Sequence, residues 1–131
     1  MTIAAISTAP GIGGIAVIRV SGPRAISIVD TIFQPAREGH TLASRPAHTL
    51  TYGQVRQDNG EVLDEVVAAL FRAPHSFTGE DVVELSCHGS VYIQQALLQL
   101  LIDHGCRLAE PGEFTRRAFS NGRMDLSQAE A

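Results

Sequence analysis

Two charged residues fall in stretches that read as strands, and their faces can be worked out from spacing. In residues 82–88, VVELSCH, Val83, Leu85 and Cys87 form one face. Glu84 shares the other face with Val82, Ser86 and His88, because successive strand side chains alternate. In residues 15–20, Arg19 lies on a face with Ile15 and Val17. A guanidinium on an apolar face needs a carboxylate, an oriented carbonyl or a ligand anion. The bland reading is an Arg19–Glu84 ion pair, or an arginine reaching solvent from a strand end. The sharper one is a pair of ligand contacts.

Three other groups of residues invite chemistry. Gly11, Gly13 and Ala16 match G-x-G-x-x-A, a dinucleotide fingerprint that works only where a helix follows and offers its N-terminus to the pyrophosphate. Here β-branched Ile15, Val17, Ile18 and Val20 follow, so the loop reads as a strand-to-strand connection. A loop whose missing side chains let a flat ligand approach the backbone is the alternative. Cys87-His88 suggests a thiol–imidazole dyad, but neighbours in one strand point to opposite faces. His104 and Cys106 lack further ligands at zinc-site intervals. No catalytic residue and no metal site is assigned.

The elements that must position these residues follow from the pattern. Residues 2–7, 15–20, 49–56, 62–71 and 82–87 read as strands, with Asp58-Asn59-Gly60 as a hairpin turn. Ser21-Gly22-Pro23 reads as a helix start with Ser21 as N-cap, followed by Ala25, Ile28, Val29 and Ile32 at helical spacing. Residues 91–102 read as a second helix ended by Gly105, and 113–119 as a short helical turn. Residues 35–46 read as a polar connector. The expected class is α+β, with a mixed five-stranded sheet and flanking helices.

Composition narrows the function. All ten basic residues are arginine, so this chain holds neither a Walker A lysine nor a Schiff-base amine. A net charge of −4 argues against a primary nucleic-acid surface. Two cysteines, no signal peptide and no span-length apolar run point to the cytoplasm. Ser127-Gln128-Ala129-Glu130 has the form of a capping box, which opens a helix, so the chain reads as a piece of something longer.

Three stretches, TIAAISTAPGIGGIAVIRVSG at 2–22, SFTGEDVVELSCHG at 76–89 and PGEFTRRAFSNGRMDLSQAEA at 111–131, resemble the N-terminal part of the tRNA-modifying GTPase family called MnmE or TrmE. The resemblance implies a tetrahydrofolate-binding and dimerisation domain over residues 1–119. Residues 120–131 would then be the connection to a helical domain that carries an inserted GTPase. It implies half of a T-protein-like folate-binding fold, completed by strand-exchanged dimerisation of a homodimer. It also implies a flavin-dependent partner, MnmG (GidA), and modification of C5 of the tRNA wobble uridine. A reduced folate, 5-formyl- or methylene-tetrahydrofolate, would donate the one-carbon unit. GTP, magnesium and potassium would bind outside this chain, as would the family's C-terminal catalytic cysteine.

Carried over by motif, the folate contacts are Arg19, Glu84 and Arg123, the last standing where the family commonly has lysine. A planar fork and a point charge make different contacts, so this position departs from the pattern. A pterin offers an amino group and a ring N–H side by side, which a carboxylate such as Glu84 accepts in bidentate fashion. Arg19 or Arg123 would meet the anionic glutamate tail or the carbonyls near the one-carbon group. The backbone of Gly11, Ile12 and Gly13 would approach the flat ring, with Ile12 or Phe77 packing against it. The other function class is a purely structural dimerisation and partner-recruiting module that binds no ligand.

Overall fold

The computed structural model of the chain describes residues 1–8 and 14–122. Its elements are β1 (Ile3–Ile6), β2 (Ile15–Ser21), α1 (Ala25–Ile32), β3 (Phe33–Pro35), β4 (Thr49–Arg56), β5 (Val62–Phe71), β6 (Val82–His88), α2 (Val91–Asp103), β7 (Arg107–Leu108) and α3 (Glu113–Ser120). A 3-10 turn at Leu42–Ser44 interrupts the connector after β3. The strands form one sheet in the order β3-β4-β5-β6-β2-β1-β7. Every pairing is antiparallel except β1 with β7, so the sheet is mixed.

The α+β class and the five longer strands match the sequence pattern, but the sheet described here has seven strands, not five. The two additions are three and two residues long, too short to display a two-residue period. Proline ends β3 at the sheet edge, where its missing N–H costs no ladder bond.

One face of the sheet carries the core. Ile18 and Val20 of β2, Val83 and Leu85 of β6, and Ala68 and Leu70 of β5 pack there against Ile28 and Val29 of α1 and Leu97 and Leu101 of α2. Burying each such Leu, Ile or Val side chain contributes roughly 1.5–3 kcal/mol. Ser90 caps α2 by accepting a hydrogen bond from the Ile93 N–H at 3.1 Å. Beyond its end, Gly105 takes a φ of +121°, which lets the chain leave towards β7.

The start of α1 differs from expectation. Ser21 is the last residue of β2, and the helix opens at Ala25 without a side-chain cap. A tertiary contact takes over part of that work: the Thr2 hydroxyl accepts from the Arg24 N–H at 2.9 Å. Ser21 was freed for another task, described below.

The opposite face is covered only in part, by α3 and the loop before β6. Ile15, Leu50 and Tyr52 lie exposed there. No helix among the described residues is long and apolar enough to cross a membrane.

The junction after β2 sets a tight condition. Gly22 has a φ of +143°, and a Cβ there would lie 2.6 Å from the Thr2 Cα. Gly22→Ala is therefore expected to destabilise the fold by about 2–3 kcal/mol in urea denaturation. An unchanged midpoint would show that the junction relaxes freely.

Candidate functional site

Strand register brings the two charged residues together. In the β2–β6 pairing, Arg19 stands directly opposite Glu84. The row continues across the uncovered face as Ala5, Arg19, Glu84, Ala69 and Leu50. Arg19 Nε donates to Glu84 Oε2 at 2.9 Å, and the two side chains are 21% and 27% exposed. Both Arg19 terminal nitrogens, and Glu84 Oε1, find no hydrogen-bond partner among the described residues.

Two aromatic rings flank the guanidinium. The Arg19 Cζ lies 4.7 Å from the Phe77 ring centroid and 5.3 Å from that of Phe114, both within cation–π range. Phe77 is partly exposed, so the recess opens to solvent. Phe114, on α3, was not singled out by sequence. The available signal was its place three residues before Arg117, which puts the two on neighbouring positions of one helix face.

A chain of charges runs beside these rings. Arg107 donates to both oxygens of Glu113, at 3.0 and 2.6 Å. Arg117 joins Glu113 at 3.2 Å to both oxygens of Glu80 at 3.0 and 3.3 Å. Ser21 Oγ donates to Glu80 at 2.9 Å, which leaves Thr78 Oγ1 as the donor across the 2.7 Å contact with Ser21. Asn121 closes the system by donating to the Thr78 carbonyl at 2.8 Å. Ser21 and Thr78 are fully buried. The Arg107 hydrogen bonds hold the Glu113 carboxyl at about 2, against burial, which pushes it up; the Glu110 N–H and the charges of Arg107 and Arg117 add to the lowering.

Cys87 and His88 part company. The Cys87 thiol lies in the core, pushed up to about 11 chiefly by burial. His88 points outward, its Nδ1 2.6 Å from Asp64, whose other oxygen accepts from the His88 N–H at 2.8 Å. His104 bridges Thr31 and Asp58, while Cys106 is buried and likewise pushed up to about 11 by burial. An apolar hollow of about 230 Å³ lies on the uncovered face, lined in part by Ile15, Tyr52, Val67, Ser86 and His88. Ser86 places it one cross-strand row from Glu84. Gly11, Ile12, Gly13 and Arg123 lie outside the described residues, as do the capping boxes near the last residue.

The molecule is thus an α+β domain with a half-exposed, aromatic-flanked ion pair on an incompletely covered sheet face. A family model described as "GTP-binding protein TrmE N-terminus" matches residues 2–123, and the chain belongs to that family. It is 66% identical over 130 residues to a "tRNA modification GTPase MnmE" of Parabacteroides distasonis, 61% to that of Bacteroides thetaiotaomicron and 55% to that of Symbiobacterium thermophilum. Each match covers 99% of this chain but 28% of the relative, so the chain spans under a third of those proteins.

Glu113 gives the fold an acid limb. Its folded value of about 2 lies below the ordinary carboxylate value of 4.5, so its contribution is complete above about 4.5 and lost as pH falls towards 2. Stability measured by denaturation is expected to fall through that window. Glu113→Gln should flatten the dependence and cost about 1.5–3 kcal/mol at neutral pH. A wild-type acid limb in that variant would assign the titration to another group.

Proposed function

We propose that this chain binds a reduced folate, 5-formyl- or methylene-tetrahydrofolate, as a one-carbon donor. The observation that carries the reading is the Arg19–Glu84 pair, which spends one of five guanidinium N–H groups and one carboxylate oxygen on itself. The remaining donors and Glu84 Oε1 are available to a ligand with acceptors and donors side by side. Glu84 accepts from the pterin amino group and ring N–H, and Arg19 donates to a carbonyl or to the anionic tail. Phe77 packs on the ring system, and the apolar hollow beside Ser86 offers further floor. Arg123 and the backbone at Gly11, Ile12 and Gly13 complete the pocket.

In this reading residues 1–119 are the folate-binding and dimerisation domain, and 120–131 lead into a helical domain carrying the GTPase. The strand-exchanged homodimer forms a T-protein-like unit. The whole protein binds GTP, magnesium and potassium outside this chain. With flavin-dependent MnmG (GidA) it modifies C5 of the tRNA wobble uridine. Support comes from family membership and from relatives named as tRNA modification GTPases.

A second reading keeps one observation in its favour: Arg19 and Glu84 already pair with each other at 2.9 Å. In that case the domain only assembles the protein and recruits its partner. Isothermal titration with 5-formyltetrahydrofolate separates the two. Saturable binding is expected, with Glu84→Gln about thirtyfold weaker, or about 2 kcal/mol. At a hundredfold excess over Kd the ligand should add ~2.7 kcal/mol of stability. Undetectable binding by the folded protein selects the structural reading.

A further inference from the structure

The Arg19 guanidinium is hydrogen-bonded on one side only, through Nε, and the rings of Phe77 and Phe114 lie 4.7 and 5.3 Å from its Cζ. Both rings sit next in sequence to residues of the charge chain: Phe77 precedes Thr78, and Phe114 follows Glu113. We propose that Glu80 and Arg117 are positioning residues, forming a polar clamp that holds α3 and the loop before β6 together and so sets both rings on Arg19. The ligand-binding part of this inference rests on the folate reading above.

The packing of α3 favours a clamp of this kind. Among its residues only Glu113 and Ala118 are buried, so apolar burial does little to orient the helix. Directional contacts take that role. Arg117 reaches both Glu80 oxygens through one terminal nitrogen and Glu113 through the other, which restricts the angle of its fork. Arg107 of β7 anchors the far side of Glu113 to the sheet. Ser21 anchors Glu80 to β2, two residues beyond Arg19 and on the same face of that strand. The clamp thus starts and ends on the sheet that carries the ion pair.

Among the described residues Arg117 and Glu80 make no hydrogen bond or ion pair with Arg19 or Glu84, and the clamp acts on Arg19 through the rings. The test uses nitrogen-15-labelled full chain. In the wild type the Arg19 Nε–H resonance, assigned by its loss in Arg19→Lys, is expected to be shifted by ring currents from Phe77 and Phe114. Arg117→Gln is expected to move it towards the position of a free arginine. The Kd for 5-formyltetrahydrofolate should rise about tenfold with the protein still folded. Glu80→Gln provides the same two readouts if Arg117→Gln does not fold. An unmoved resonance overturns the clamp, and so does a moved resonance with an unchanged Kd. If the wild type binds no folate, the folate reading falls, and the resonance alone decides the clamp.

Discussion

The register between β2 and β6 is the constraint from which the site follows. Ile18 opposite Leu85 and Val20 opposite Val83 fill the core, and the same register sets Arg19 opposite Glu84 on the other face. A slip of either strand by one residue would turn its own charged side chain inward and its own aliphatic row outward. Burial of the aliphatic rows, at roughly 1.5–3 kcal/mol per side chain, forbids that slip. The ion pair itself is partly exposed, and pairs of that kind contribute only about 0–1 kcal/mol. The sheet therefore holds the pair, and the pair does little to hold the sheet.

The two faces are closed by different physics. Beneath the core, α1 and α2 dock through interlocked aliphatic side chains whose attraction has little directional content. Across the other face, α3 docks through guanidinium–carboxylate forks and a buried Ser21–Thr78 pair. Every buried side-chain polar atom among the described residues has a partner, as burial in such a network demands. Directional bonding suits a helix whose task is to present one ring at a set distance from one cation.

Much of this was legible in the chain because it depends on local period. Alternation placed Glu84 and Arg19 on the faces they occupy, and Asn59-Gly60 marked the β4–β5 hairpin. What escaped depends on residues far apart. Ser21 followed by Gly22-Pro23 has the chemistry of a helix cap, yet its hydroxyl bonds Thr78 and Glu80, 57 and 59 residues away. Glu80 and Arg117 are 37 residues apart, and nothing in either neighbourhood announces the other. The edge strands β3 and β7 escaped for want of length. Family resemblance pointed to Arg19 and Glu84 but not to Phe114 or the charge chain behind it.

The partial exposure of Arg19 and Glu84 bears directly on what the pair can do. A fully buried pair left with one partner costs 3–5 kcal/mol, so a ligand competing for either side chain would meet a large penalty. Here solvent reaches both side chains, and loosening the single 2.9 Å contact costs about 1 kcal/mol or less. One bidentate contact to a carboxylate or guanidinium more than offsets that. The flanking rings lower the cost further, because they hold the cation near its place when Glu84 turns to another donor. A pair poised this way releases either side chain to another partner at little cost, which a fully buried pair cannot do.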